Sequence, residues 1–477
     1  MWKGKFTHMN INSGNKPHVL VLGGGSVGMN VAAELRKKAG NNVAITVVDT
    51  RPYLTYQPFL PEVGAGAIDP RNVLAPLRKV LQGTKVVTGS VETISHADRV
   101  VTVALEGDET IEISYDYLVV GLGSVPRTLP IPGLAENAIG FKWVEEAVAV
   151  RDRILSNLAE AASTKDPETR KRLLTFTFVG GGFAGSEAIA EAEDMVSAAL
   201  RYYPDLHPSD VRFVMIEAMG RILPEVGEEL GKYALKQFRE RGIEVKLETF
   251  LNSCEDGIVK TSDGDEFASD LIVWCAGIKP NPVLENSDLP LNQTGRLDCL
   301  ADLRVKGEDG PLEGVFAAGD CTTVPDLASG EGKVCPPNAQ HAVRQAKCLA
   351  DNVARAIDSR PLVDYYHKNL GTMATLGMFK GVGTLFIGDK KVELKGIPAW
   401  LGARAYHVYA MPTLGRKAGV VAGWVSSLLG NREILGIAQA TEPRKAFELA
   451  AASTPKYSHA VMFIPRIIWV AEEDLKR

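Results

Sequence analysis

HVLVLGGGSVGMNVAAELRKKAGNNVAITVVD runs from His18 to Asp49. It opens on an apolar run, turns through a cluster of glycines, continues in a helix-forming stretch and closes on a second apolar run that ends in a carboxylate. A strand, a GxGxxG turn, a helix and a second strand are the expected elements. In such a unit Gly23 makes the tight turn, Gly25 lets the backbone approach a pyrophosphate, and Gly28 lets helix and strand pack closely. The helix N-terminus, headed by Ser26, offers free N–H groups and a partial positive charge to the phosphates. Asp49, about twenty residues beyond the turn, is placed to accept hydrogen bonds from a ribose diol.

The pattern occurs twice. From Phe176 the chain reads FTFVGGGFAGSEAIAEAEDM, and after a longer helical insertion it reaches VRFVMIE, ending on Glu217. Gly180, Gly182 and Gly185 repeat the glycine spacing. One GxGxxG arises in many loops, but two copies, each flanked by strands and each followed by an acid, predict a chain that binds two dinucleotides. Tyr115–Arg127 (YDYLVVGLGSVPR) reads as a buried strand running into a glycine turn. Leu271–Pro280 (LIVWCAGIKP), with Gly277, repeats that logic. Gly314–Cys321 (GVFAAGDC) reads as a strand ending at Gly319 and Asp320. The expected fold is α/β: two Rossmann-like dinucleotide-binding domains, the first discontinuous, followed by a C-terminal α+β region. The boundaries read as 17–165 and 286–370 for the first domain, 166–285 for the second and 371–477 for the C-terminal region.

Composition narrows the function. A chain of 477 residues with 45% hydrophobic and 23% charged residues is long enough for two or three full cores. A net charge of −5 argues against a nucleic-acid binder. Six cysteines without a CxxC pair suit a reducing compartment better than a disulfide framework or a metal site. The opening MWKGKFTHMNINSGNK lacks the apolar core of a signal peptide, and no apolar run is long enough for a membrane-spanning helix.

The tandem motifs, the YDYLVVGLG strand between them and GVFAAGD after them resemble the two-dinucleotide-binding flavoprotein superfamily over roughly residues 17–370. The resemblance implies FAD on the first unit and NADH on the second, with Asp320 on the FAD ribityl chain and Glu217 on the NADH ribose. A carboxylate there disfavours a 2′-phosphate. Within the superfamily, thiol relays place a cysteine just after the first acidic strand; here TRPYLTYQPFLPEVGAG stands in that place, and no cysteine precedes Cys254. What remains resembles a type II NADH dehydrogenase, the single-subunit NADH:quinone oxidoreductase, in an actinobacterial-looking form. GGGFAGSE carries that family's glutamate onto Glu187, and PPNAQHAVRQ resembles its AQxAxQ quinone motif, with Ala339 and Gln340 beside the flavin. The resemblance implies oxidation of NADH by FAD and transfer of two electrons to menaquinone or ubiquinone without proton pumping. It also implies a peripheral enzyme on the cytoplasmic side of the cell membrane, with a homodimer as a family expectation. Glu187 would tune the nicotinamide–flavin stack or relay a proton. A different acceptor, a sulfide:quinone reductase and a slowly turning over NADH sensor are the alternatives.

The chain departs from the motif where a second glutamine should stand: position 344 is Arg, and the glutamine is at 345. A four-residue helical step returns to about 40° from its start and a five-residue step to about 140°, so Arg344, not Gln345, shares a face with Gln340. Arg344 could stabilise an anionic quinol or pair with a carboxylate. Lys380 lies near a lysine of the family in a similar strand, while His341 and Cys335 read as ordinary structure. From Gly415, GRKAGVVAGWVSSLLGNR places Val420, Val421, Trp424, Val425, Leu428 and Leu429 on one stripe. Six basic residues from Lys391 to Arg432, Arg404 and Arg416 among them, face the single acid Glu393. That is the composition of a helix on an anionic membrane surface, with Trp400 and Tyr406 at headgroup level. Pattern alone better suits an ordinary amphipathic helix packed on the protein or across a dimer interface, and the family resemblance favours the membrane. Val461–Val470 is a second apolar segment that could dock on the core or join the membrane face.

Overall fold

The computed structural model describes residues 6–8, 16–388, 390–430 and 432–435. The first glycine-turn unit forms the centre of a six-stranded sheet. His18–Leu22 lies between Ala44–Asp49 and Tyr117–Val120, all parallel, with Lys85–Thr88 beyond the former and Pro311–Ala317 beyond the latter. An antiparallel edge strand, Arg304–Lys306, completes it. Every residue of His18–Leu22 is buried, which is why the run is continuous rather than alternating in polarity. Helices Ser26–Ala39 and Ala339–Ile357 pack against each other over this core.

The second unit builds a five-stranded parallel sheet on Thr175–Val179, with Arg212–Ile216 and Ile243–Lys246 on one side and Leu271–Trp274 and Ala138–Gly140 on the other. Its edge strand therefore comes from ahead of residue 165. The two excursions that link the sheets, Ser124–Pro126 and Ile278–Pro280, pair antiparallel. The strand read through Asp320 stops at Ala317, which leaves Gly319 and Asp320 in the turn that follows. Residues past Leu370 form an antiparallel sheet of Gly371–Thr375, Gly381–Ile387 and Lys390–Lys395, then helices Ile397–Ala410 and Leu414–Leu428. Among the described residues no helix is long and apolar enough to cross a membrane.

The last helices correct the surface stripe. Val420 is buried, and the Trp424 ring packs edge-on against Phe59 at 5.5 Å, whereas Val421, Val425, Leu428 and Leu429 face outward. The stripe splits because the inward face is made of small residues. A Cβ at Gly423 would meet Ala67 O at 2.8 Å, and Ser427 Oγ donates to the same carbonyl at 3.3 Å. Arg404 and Arg432, counted above among charges for lipid, are buried, as is Trp400. Arg404 Nη2 lies 2.6 Å from Glu62 Oε1, and Arg432 Nη2 lies 3.2 Å from Glu191 Oε2. Pairing offsets part of the cost of taking both the cation and the carboxylate out of water. Tyr406 is exposed. Val461–Val470 lies outside the described residues.

Candidate active site

The glycines of the first turn do three separate jobs. Gly23 has φ +94°, where an L side chain is strained, and a Cβ there would strike Gly121 O. At Gly28 a Cβ would collide with Gly23 O, so helix and strand could not close. At Gly25 nothing lies within 4 Å of that Cβ, and no side chain caps the helix that starts at Ser26. The open space in front of uncapped N–H groups fits a pyrophosphate. Asp49 accepts from Gly24 N at 2.6 Å and from Arg51 N at 2.7 Å. Burial pushes its carboxyl upward, against the pull of those two amides. The Arg51 guanidinium stacks on Trp143, 4.0 Å from the ring centre.

Asp320 accepts from Ser124 Oγ at 2.8 Å, and Lys142 Nζ donates to that hydroxyl at 2.6 Å. Burial lowers the Lys142 ammonium, with Asp320 and Glu146 opposing. Beside it, Gly319 N donates to the buried Gln345 Oε1 at 2.9 Å. Gln345 does point away from the Gln340 face, as helical geometry requires. Its task, which sequence reading missed, is to fix the turn that carries Asp320.

The second unit repeats the first. Gly180 has φ +106°, a Cβ at Gly185 would collide with Gly180 O, and the space before Gly182 is open. Glu217 is clamped by its own turn: its two carboxylate oxygens accept from Gly181 N at 2.5 Å and from Met219 N at 2.7 Å. Gly277 has φ +84° and open space before it, so its backbone can be approached closely. These residues fit a second dinucleotide.

The Gly371–Thr375 strand joins the two remaining candidates. At one end Gly371 O accepts from Gln340 Nε2 at 3.2 Å. At the other, Thr375 donates to Glu187 Oε1 from its amide at 2.8 Å and from its hydroxyl at 3.1 Å. Burial first, then the negative fields of Glu62 and Glu191, push the Glu187 carboxyl up to about 8, against both Thr375 bonds. Gln340 sits in the first turn of a helix capped by Asn338, which accepts from His341 N at 2.9 Å. Its carbonyl Oε1 lies 3.1 Å from His367 Nε2. Burial, with Arg344 and His341 adding to it, pulls His367 down to about 4, so the ring is neutral at pH 7 and its Nε2–H can donate to that oxygen. His367 carried no sequence signal.

Arg344 does lie on the Gln340 side of the helix, where its Nη1 donates to Gln340 O at 3.0 Å. Among the described residues it forms no ion pair with a carboxylate. His341 bonds Tyr365 Oη at 2.9 Å through Nδ1, a packing role. Lys380 lies in the turn between Gly371–Thr375 and Gly381–Ile387, where its carbonyl accepts from Leu376 N at 2.9 Å. No described contact brings its ammonium to Gln340 or Glu187.

Comparison with known proteins bears on this arrangement. The pyridine nucleotide-disulphide oxidoreductase model matches residues 17–346. The type II NADH:quinone oxidoreductase Ndh of Mycobacterium tuberculosis is 30% identical over 432 residues, spanning 87% of this chain and 88% of that protein. The chain belongs to the type II NADH:quinone oxidoreductase family. A probable NADH dehydrogenase of Dictyostelium discoideum is 30% identical over 399 residues, 82% of this chain and 85% of that one. NDH2 from Plasmodium falciparum, solved in complex with NADH, has the same fold, with a TM-score of 0.80 at 18% identity over 88% of this chain and 100% of that chain. The fold of a sulfide:quinone oxidoreductase from Aquifex aeolicus is less similar, with a TM-score of 0.63 at 18% identity, covering 87% and 94% of the two chains. In this type II chain the six cysteines are all free, and Cys335 Sγ contacts the Pro325 carbonyl at 3.7 Å.

Proposed function

We propose that the protein oxidises NADH at the Glu217 unit and passes two electrons, through FAD held at the Asp49 unit, to a quinone beside Gln340. FAD, when bound, supplies the two-electron carrier chemistry that the side chains lack. Gly25, Gly28, Asp49 and Asp320 would hold it, and Gly182, Gly185 and Glu217 would hold NADH. The Gly371–Thr375 strand carries the reading, because it ties an amide suited to a quinone carbonyl to a carboxyl poised near neutrality. Arg344 adds a permanent cation on the Gln340 side, able to favour an anionic quinol. The cycle moves no protons across the membrane.

The test separates the two halves of the cycle. The holoenzyme is reduced with one equivalent of NADH and mixed with a soluble menaquinone analogue while flavin absorbance is followed. Rapid reoxidation is expected, slowed about tenfold by Gln340→Ala, the worth of about one hydrogen bond, with NADH-driven reduction little changed. A flavin that NADH reduces but quinone leaves untouched would sink the assignment.

The proposal includes peripheral docking on the cytoplasmic side of an anionic membrane. Leu414, Val421, Val425 and Leu428 are exposed along one helix, and Ile397, Leu401 and Tyr409 along the preceding one. Arg416 and Lys417 flank this surface, and Lys417 Nζ bonds Tyr409 O at 2.8 Å. With Arg404 and Arg432 withdrawn into ion pairs, apolar area contributes more to docking than the charge count suggests. Val421→Ser with Val425→Ser is expected to weaken binding to vesicles containing anionic lipid on the order of tenfold in a sedimentation assay, at about 0.8 kcal/mol for each buried methylene equivalent. Unchanged binding would move the docking surface elsewhere.

A further inference from the structure

Behind Glu187 lies a set of charges that neither nucleotide site uses. Glu62, on the short Leu60–Gly64 helix, is 3% exposed, and Glu191 is fully buried one helical turn beyond Glu187 on the Phe183–Ala199 helix. Arg404 Nη2 faces both, at 2.6 Å from Glu62 Oε1 and 3.7 Å from Glu191 Oε1. Arg432 closes the other side of Glu191 and also donates to Ala65 O at 3.3 Å. Indole rings cover the Arg404 guanidinium, with Trp400 at 4.1 Å and Trp424 at 5.1 Å.

This cluster is incompletely bonded. Beyond those ion pairs, Oε1 of Glu191 and Nε and Nη1 of Arg404 are buried without a hydrogen-bond partner among the described residues. Unmade bonds of buried polar groups are costly, and these are the donors and acceptors that an internal water requires. The charges continue into the next turn, where Arg241 pairs with Glu193 and with Asp194, the latter at 2.9 Å, and Glu191 and Arg432 also act on Asp194. Glu62, Glu187, Glu191, Glu193 and Asp194 thus share Arg404, Arg432 and Arg241, and retained protons bring the set towards neutrality, the cheaper state in a poorly solvated place.

Resting on the quinone reading above, we propose that Glu62, Glu191, Arg404 and Arg432 form a buried proton-holding site that passes a proton by way of Glu187 to the quinone and is refilled from bulk water. The stoichiometry leaves a second proton to be supplied. Oxidation of NADH to NAD⁺ releases two electrons and one proton, whereas reduction of a quinone to a quinol takes up two electrons and two protons. One proton per turnover must come from the medium, and a buried donor beside the quinone would deliver it. Glu62 is suited to resupply it: burial, opposed chiefly by Arg404, raises its carboxyl to about 7, just below the about 8 of Glu187, so the transfer from Glu62 to Glu187 runs downhill. A donor of that strength matches neutral working conditions.

The test reads the proton directly. Infrared difference spectra of the holoenzyme are recorded across pH 5 to 9, in H₂O and D₂O, for wild type and Glu62→Gln. A protonated-carboxyl C=O band that titrates near neutrality, shifts in D₂O and is missing from Glu62→Gln supports the site. A wild-type spectrum without such a band overturns it, and needs no variant to fold. In stopped flow, Glu62→Gln is expected to slow quinone-driven reoxidation at least about tenfold and to flatten its pH profile, while NADH-driven reduction changes about twofold at most. A pH profile identical to wild type would overturn the proton-donating role. Should quinone fail to reoxidise the wild-type flavin, the quinone reading falls instead, and the infrared band still decides whether Glu62 holds the proton.

Discussion

Glu217→Ala is expected to lower kcat/KM for NADH about a hundredfold, almost entirely through KM. The carboxylate has two functions that the substitution removes together. It holds the glycine turn, accepting from Gly181 N and Met219 N, and on the proposed reading its remaining lone pairs would accept from the ribose diol. Hydrogen bonds to a charged group are worth about 1.5–3 kcal/mol each, and a hundredfold is about 2.8 kcal/mol, so the loss of one to two such bonds accounts for the effect. Glu217→Gln separates charge from geometry. It keeps an acceptor for one amide but no longer repels a 2′-phosphate, so preference for NADH over NADPH is expected to fall about tenfold or more. Steady-state kinetics with both nucleotides and one acceptor measure this. An unchanged preference in Glu217→Gln would place the discrimination on other residues.

The two nucleotide-binding units were legible because their information is local. A glycine triplet, an apolar run before it and an acid after the next run fall within some thirty residues, and each glycine has its own steric reason in the fold. The same locality carried Gln340 and Arg344 to one side of their helix. Legibility ended where the partner is remote. His367 meets Gln340 from 27 positions away, and nothing periodic marks it. Arg404 and Arg432 looked like surface charge because composition does not record that Glu62 and Glu191 are buried opposite them. One missed signal was present: Gly419, Gly423 and Ser427 recur every fourth residue and mark the packed face of the last helix, opposite the face that stays exposed.

Arg404→Met is expected to destabilise the folded holoenzyme by about 3–5 kcal/mol, the cost of leaving a buried carboxylate without its partner. The size should depend on pH, with a definite sign. Arg404 is the chief influence lowering the Glu62 carboxyl, so its removal carries a group already raised to about 7 higher still, against an ordinary value of 4.5. Between those values the folded protein holds a proton that the unfolded chain has released, and stability falls as pH rises through that window. The deficit of Arg404→Met relative to wild type should therefore be smaller at pH 6 than at pH 8 in denaturant titrations. Glu62→Leu with Arg404→Met should recover most of it, because a buried ion pair replaced by apolar groups of similar volume is often neutral or better. A deficit equal at both pH values, or a double variant no better than the single, would mean that Glu62 is not the charge left behind. The recovery would also separate stability from use. The pair joins the Leu60–Gly64 segment to the Ile397–Ala410 helix, a mechanical task that leucine and methionine can perform. A double variant that folds as wild type yet reoxidises slowly with quinone would show that the pair is retained for the proton it keeps near Glu187, not for the strength of the joint.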